Sequence, residues 1–152
     1  MKRWASETEM KLCVRLCALA AMTVLGACNA TTVNLYPVRG SWALETPLPI
    51  ITASIEGVGG RSGRITMTMP DQESCSGQWS TAPFPAERTS LWDQHSLVAG
   101  FSHIPGRPGG TRSESSLSCA RGTTIQAEFF TEGREGFGVA TDSRGNIYRI
   151  LF

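Results

Sequence analysis

Two pairs of polar side chains stand close enough along the chain to suggest hydrolytic chemistry. Asp93 and His95 lie two residues apart and, with one of the many serines, supply the residue types of a nucleophilic triad. Asp71 and Glu73 have the same spacing and could act as the acid and base of glycan hydrolysis. Neither pair belongs to a nucleophile-elbow, phosphate-loop or zinc-protease motif. We therefore interpret them as packing or solvated residues, and we predict no catalytic residue, no metal and no cofactor.

Cys75 and Cys119 are the residues best suited to a covalent link within the chain. The other three cysteines all lie in the first 28 residues, which have a separate role considered below. An even pair in an oxidising compartment indicates a single disulfide. A metal site shared with His95 and His103 is the alternative, but these spacings match no zinc pattern.

Arginine and a large aromatic residue mark a candidate binding surface. Arg61 and Arg64 follow a glycine-rich segment, Arg107 and Arg112 flank another, and Trp92 lies between the two segments. Arginine and tryptophan dominate contact energies when they are desolvated. These five residues are therefore our candidates for contacting a partner, either through the arginines on a loop end or through Trp92 as an exposed aromatic.

The N-terminus has the pattern of a secretory signal peptide. Lys11 and Arg15 precede an apolar run over residues 16–25. A run of this length fits a signal peptide and is too short to cross a membrane as a helix. Met10 begins a conventional leader, so we interpret Met10 as the start of translation. The segment 1–27 is predicted to be the signal peptide.

The leader ends in Leu25-Gly26-Ala27-Cys28, which resembles the lipobox of bacterial lipoproteins. The resemblance implies that Cys28 is lipidated, that the chain is cut before it, and that two or three acyl chains hold the protein on a membrane. Asn29 follows the cysteine, which favours the outer membrane in enterobacterial-type sorting. The expected location is therefore the bacterial cell envelope, with the domain in the periplasm or at the cell surface.

Composition and charge exclude several classes of protein. The 152 residues are 41% hydrophobic and 18% charged, with a formal net charge of +1. Removal of the leader leaves ten Arg, no Lys and eleven acidic residues. A chain so close to neutral gives no electrostatic reason to expect a nucleic-acid partner.

The rest of the chain shows β-strand patterns with turn residues between them. Apolar and β-branched residues recur over short segments, while no window keeps a helical apolar stripe. We predict strands at 50–56, 64–69, 97–102, 123–130, 137–141 and 146–151, a short helix at 87–93 and a mobile serine-rich loop at 111–118. The fold class is therefore all-β, a small barrel or sandwich of about six to eight strands. Residues 28–34 form a lipidated tether and residues 35–152 the β domain.

The segments 62–71 and 75–79, together with 138–142 and 145–148, are similar to parts of small, uncharacterised proteobacterial lipoproteins. This resemblance implies a location and a fold and specifies no reaction. We therefore expect an anchored protein that binds or scaffolds an envelope protein or glycan without catalysis. The first alternative is an inhibitor or assembly factor for an envelope protein. A cell-wall hydrolase is the second alternative, and the sequence favours it less.

Overall fold

Eight antiparallel strands, each paired with the next in the sequence, close into one barrel when β8 pairs with β1. This computed structural model describes residues 30–85, 89–101, 108–133 and 135–152. The strands are β1 (Ala30–Arg39), β2 (Ile51–Glu56), β3 (Ser62–Thr68), β4 (Ser74–Thr81), β5 (Thr111–Cys119), β6 (Thr124–Glu132), β7 (Glu135–Asp142) and β8 (Ile147–Leu151). The all-β prediction is confirmed, and the architecture is a barrel.

Alternating side chains from all eight strands fill the barrel. Successive residues of a strand point to opposite faces, so one face of every strand supplies the core. Trp79 and Phe129 pack edge to face with their ring centroids 5.9 Å apart. Residues of the buried core include Val33, Leu35, Ile51, Ile55, Ile65, Met67, Leu117, Ile125, Tyr148 and Ile150. Eight strands give an interior that side chains can fill completely.

The predicted disulfide is confirmed. Cys75 and Cys119 occupy directly opposite positions on β4 and β5, with their sulfur atoms 1.97 Å apart. Their Cα atoms are only 3.9 Å apart because the two residues face each other across paired strands. The bridge therefore links neighbouring strands of the barrel.

The structure corrects three local predictions. Residues 30–34, assigned to the tether, lie in β1, because they pair with residues 52–56 of β2. The serine-rich segment predicted as a mobile loop is β5, which is paired along its length with β4 and β6. The predicted strand at 97–102 is wrong, since residues 97–100 form turns after a helix. Ala99 is buried, Leu97 and Val98 are exposed, and none of the three belongs to a strand.

The described parts of the long connection between β4 and β5 pack on the outside of the barrel. Its described residues contain one short helix, α1 (Leu91–His95). This helix overlaps the predicted helix at 87–93 over residues 91–93 and ends two residues later. A second apolar cluster forms where Trp92 and Phe101 of this connection pack on Phe130 and Phe137 of the barrel wall. We call residues 82–85 and 89–101 the covering segment. Within the described ranges, no helix is long and apolar enough to cross a membrane.

Candidate functional site

The cavities among the inward-facing side chains are too small for a typical ligand. One, lined by side chains such as Leu35 and Ile65, is about 20 Å³, and one beside Trp79 and Phe129 is about 60 Å³, whereas ligand pockets measure roughly 300–1,000 Å³. A single water already requires on the order of 10–15 Å³ of such space. A binding function for this protein therefore has to use its outer surface.

A polar groove of about 950 Å³ lies on the outer wall, beside the covering segment. Its floor is formed by strands β4 to β7, one wall by α1 and the residues preceding it, and its remaining rim by Arg39 and the turn between β7 and β8. The polar residues that line it include Gln78, Ser80, Gln94, His95, Glu114, Ser116, Gln126 and Thr141. This groove is the candidate functional site.

The register of the sheet aligns four uncharged polar residues across the groove floor. Gln78 lies opposite Ser116, Ser116 opposite Gln126, and Gln126 opposite Thr141. Neighbouring strands are about 4.8 Å apart, so this row extends roughly 14 Å across the strands. The first three residues of the row are exposed and Thr141 is half-buried. The floor therefore presents a line of amide and hydroxyl groups to solvent.

A buried ion pair supports the groove from behind. The Nε atom of Arg112 donates to Glu128 across 2.8 Å, and the side chains are only 4% and 2% exposed. Glu128 also accepts from the backbone N–H of Trp92 at 3.2 Å, while Arg112 donates to the carbonyl of Pro83 at 2.6 Å. Arg112 forms a further ion pair with Glu114 on the groove rim. These contacts fix the covering segment to the barrel wall.

Two residues of the predicted binding surface are therefore not available to a partner. Trp92 is 2% exposed and lies in the outer apolar cluster, and Arg112 is held in the buried ion pair. Arg112 was expected on a loop end and Trp92 as an exposed aromatic, because the sequence gives no sign that the covering segment packs on the barrel wall. Arg61 and Arg64 are exposed, and Arg64 on β3 lies directly opposite Gln78 of the groove floor, although neither arginine lines the groove itself. Arg107, His103 and Cys28 lie outside the described residues.

His95 lines the groove, whereas Asp93 forms a hydrogen bond at the start of α1. Asp93 accepts a hydrogen bond from the hydroxyl of Ser90 at 2.8 Å, at the start of α1. Residues two apart on a helix do not face each other, so α1 does not orient these two side chains as a catalytic pair. Burial, together with the positive charge of Arg39, lowers the pKa of His95 below 6.5. His95 is therefore mainly neutral at pH 7.

The other candidate pair, Asp71 and Glu73, belongs to a charged network at one end of the barrel. Glu73 is buried and accepts from the backbone N–H of Arg121 at 2.6 Å, from Thr123 at 2.8 Å and from Arg144 at 2.5 Å. Arg144 also donates to Asp71 at 2.8 Å. The network joins three of the four turns at this end, so Glu73 is a structural residue and is not solvated as predicted.

The electrostatics of this pair oppose a role as a general acid. The hydrogen bond from Arg144 is the main reason that the pKa of Asp71 lies below its ordinary value. Burial raises the pKa of Glu73, but hydrogen bonds from Thr123 and Arg121 outweigh that effect and lower it overall. A glycosidase acid needs a raised pKa to hold its proton at neutral pH. Asp71 and Glu73 have the opposite property.

The fourth turn joins the same end through Asn146. Asp142 accepts from the side-chain amide of Asn146 at 2.8 Å and from the hydroxyl of Tyr148 at 2.6 Å. Asn146 in turn accepts from the hydroxyl of Ser41 at 3.2 Å. We call this end, closed by the turns 40–50, 69–73, 120–123 and 143–146, the sealed end. Asn146 lies at the rim of the groove and is fixed there, because its side-chain oxygen accepts from Ser41 and its side-chain nitrogen donates to Asp142.

A metal site finds no support in the geometry of the described side chains. Cys75 and Cys119 form the disulfide, so neither offers a thiolate. Within the ranges that the structure covers, no three His, Cys, Asp or Glu side chains are grouped to hold a metal ion.

Sequence reasoning missed the groove because it missed two of the strands that form its floor. The signal was present in β4, where Cys75 and Trp79 are buried while Ser76 and Gln78 are exposed. The same alternation runs through β5, but serine occupies inward as well as outward positions, which hides the pattern. An antiparallel pairing of these two segments through the disulfide would have placed Gln78 opposite Ser116.

Comparison with known proteins adds no constraint. No protein-family model matches the chain, and no curated protein or solved structure matches it significantly. The fold and its site therefore define a class only in physical terms: a closed eight-stranded barrel with a filled interior and a polar groove on its outer wall.

Proposed function

We propose that this protein is a lipid-anchored component of the bacterial envelope that binds another envelope component in the outer groove without catalysis. The observation that carries the proposal is the contrast between the small cavities among the inward-facing side chains, of about 20 and 60 Å³, and the groove of about 950 Å³ on the outer wall. A filled barrel cannot carry a small apolar ligand, whereas an outer groove can hold part of a large partner.

The lipobox supports the membrane anchor in this proposal. Cys28 precedes the first residue of β1, Ala30, by only two positions. A lipid on Cys28 would keep the barrel close to the membrane, with the sealed end pointing away from it, since β1 runs towards that end. The groove would then lie on the side of the barrel, where it could contact another envelope component next to the membrane. Anchoring also raises the effective concentration, so a modest affinity is sufficient.

A cell-wall hydrolase is the second candidate, because His95 lines the groove. The carboxylates near it are already engaged: Glu128 binds Arg112, and Asp93 accepts from Ser90. A hydrolase would therefore have to use His95 without either of these partners. A screen of peptidoglycan, ester and glycoside substrates tests this candidate, and turnover lost in His95→Gln would establish it.

Photo-crosslinking in living cells tests the binding proposal. A photoreactive amino acid replaces Gln126 on the groove floor in the full-length protein, and the matched control replaces Thr52, an exposed residue of β2 on a different part of the wall. We expect a discrete adduct of higher mass from position 126 and little from position 52. Equal labelling at both positions, or none at position 126, would contradict the proposal. Mass spectrometry of the adduct distinguishes an inhibited or assembled protein from a glycan.

A further inference from the structure

We infer that the ligand of the groove is an uncharged, hydroxyl-rich polymer, that is, a glycan chain. This inference rests on the proposed binding function and names the class of ligand for the same site. It depends on three properties of the groove: the side chains of its floor, its balance of charge, and the absence of Phe, Tyr, Trp and Met from its lining.

The floor is suited to hydrogen bonding with sugar hydroxyls. A glutamine side chain carries two donors and an acceptor, and a serine or threonine hydroxyl can both donate and accept. Gln78 and Gln126 flank Ser116 in the row that crosses the strands. Sugar hydroxyls also donate and accept, so a chain lying along this row finds a partner at each strand. The roughly 14 Å length of the row suits a polymer better than a single small molecule.

The charges around the groove offset one another. Glu128 at the back of the groove is neutralised by Arg112 at 2.8 Å. Arg39 and Glu114 line the groove with opposite charges, and the pKa of His95 is lowered by burial and by Arg39. A strongly acidic or basic ligand would gain little from such a site. The groove therefore favours a ligand without net charge.

The groove also lacks the composition of a protein interface. Such interfaces are enriched in aromatic residues, methionine and arginine, and they are depleted in serine. The groove floor carries serine, threonine and glutamine, and Trp92 of the covering segment is buried against the barrel wall. The exposed apolar side chains Leu44 and Leu97 are not among the residues that line it. Arg39 is the one exposed arginine among the residues that line the groove, and no aromatic ring of Phe, Tyr or Trp and no methionine is among them, so the groove offers a protein few anchors.

Co-sedimentation with insoluble polysaccharides tests the inference. The full-length protein in mild detergent is mixed with protein-free peptidoglycan and, separately, with chitin, whose neutral sugar chain lacks peptides. We expect the protein to sediment with both, and the double variant Gln78→Ala/Gln126→Ala to bind about tenfold more weakly, because it loses several hydrogen bonds. Both glutamines are exposed, so the substitutions leave the fold intact. The matched control, Thr52→Ala/Thr68→Ala, alters exposed residues that line a separate outer groove of about 490 Å³ on β1 to β4, and it should bind normally.

The outcomes separate this inference from the proposed function. Binding to peptidoglycan but not to chitin would overturn the glycan assignment in favour of the peptide part of the wall. No sedimentation, with a protein adduct at position 126 in cells, would overturn the inference and leave the proposed function standing. Equal weakening by the control variant would move the site away from the groove and contradict both. Loss of binding in the glutamine variant alone supports the inference.

Discussion

The side chains of Arg112 and Glu128 form a buried ion pair, with Nε 2.8 Å from Oε1, on the outside of a barrel whose inside is apolar. The pair is buried only because the covering segment lies over it, and both side chains bind the backbone of that segment. The wall of the groove and the stability of the fold therefore depend on the same two residues.

Replacing one member of this pair should destabilise the protein more than replacing both. Arg112→Met leaves Glu128 buried without its cation, which costs about 3–5 kcal/mol in the free energy of unfolding. The double variant Arg112→Met/Glu128→Gln removes the uncompensated charge and should recover a substantial part of that loss. Urea denaturation measures both values. A double variant less stable than Arg112→Met would show that the pair does not act through charge compensation.

Acid should weaken the sealed end. The pKa of Glu73 is lower in the folded protein than its ordinary value of 4.5, so its contribution to stability is present above pH 4.5. That contribution is lost as the pH falls from about 4.5 through the folded pKa, because the unfolded chain takes up the proton first. The melting temperature of Glu73→Gln should be lower than that of the wild type at pH 7, and the difference should narrow below pH 4.5.

Two controls make the acid experiment specific. Glu132→Gln changes an exposed carboxylate at the other end of the barrel and should keep the acid dependence of the wild type. Asp71→Asn changes the same network and should reduce the acid dependence as Glu73→Gln does. A constant difference between Glu73→Gln and the wild type from pH 7 to pH 3 would contradict the role given to the network.

The disulfide should stabilise the barrel by restricting the unfolded chain. The two cysteines are 44 residues apart in the sequence, and closing a loop of this size contributes about 2–4 kcal/mol. Cys75→Ala/Cys119→Ala should lower the free energy of unfolding by that amount. Reduced wild-type protein should unfold at nearly the same denaturant concentration as this variant. If reduction leaves the unfolding midpoint of the wild type unchanged, the stabilising role is wrong.

Membrane attachment should depend on one thiol. Cys28→Ser removes the acceptor for the lipid that the lipobox implies, so the variant should leave the detergent phase on partitioning. It should also accumulate as an uncleaved precursor, because cleavage follows acylation in lipoproteins. Membrane fractionation and the mass of the N-terminal peptide measure both effects. A processed Cys28→Ser protein in the membrane fraction would refute the anchor.

The sequence predicts the strands whose inward residues are large and apolar. Residues 51–56 and 124–132 alternate apolar and polar side chains, and both were expected as strands almost at their observed bounds. Strand β5 was missed because Ser113 and Ser115 occupy buried positions next to large residues, so polarity does not separate its two faces. Small side chains are tolerated inside because Trp79 and Phe129 from neighbouring strands fill the volume.

The sequence predicts the disulfide but not the groove, and the reason differs from the one that hid strand β5. The disulfide follows from counting cysteines, whereas the groove depends on the path of the covering segment. Packing of that segment on the barrel wall buries its own Trp92 and also Arg112 of β5, both of which the sequence suggests are exposed. It also places His95 beside strands that are distant in the chain. A short helix of five residues with an apolar face gives little periodicity from which to predict its docking.

Hydroxyl-radical footprinting of the full-length protein, in intact cells and after purification, tests the central claim most directly. His95 and Leu91 are reactive, half-buried side chains that line the groove, while Leu44 and Leu97 are exposed outside it. If a partner occupies the groove, His95 and Leu91 should be oxidised less in cells than in the purified protein, with Leu44 and Leu97 oxidised equally in both. Unchanged oxidation of His95 and Leu91, with protection of Leu44 or Leu97 in cells, would contradict the account and place the partner on another surface.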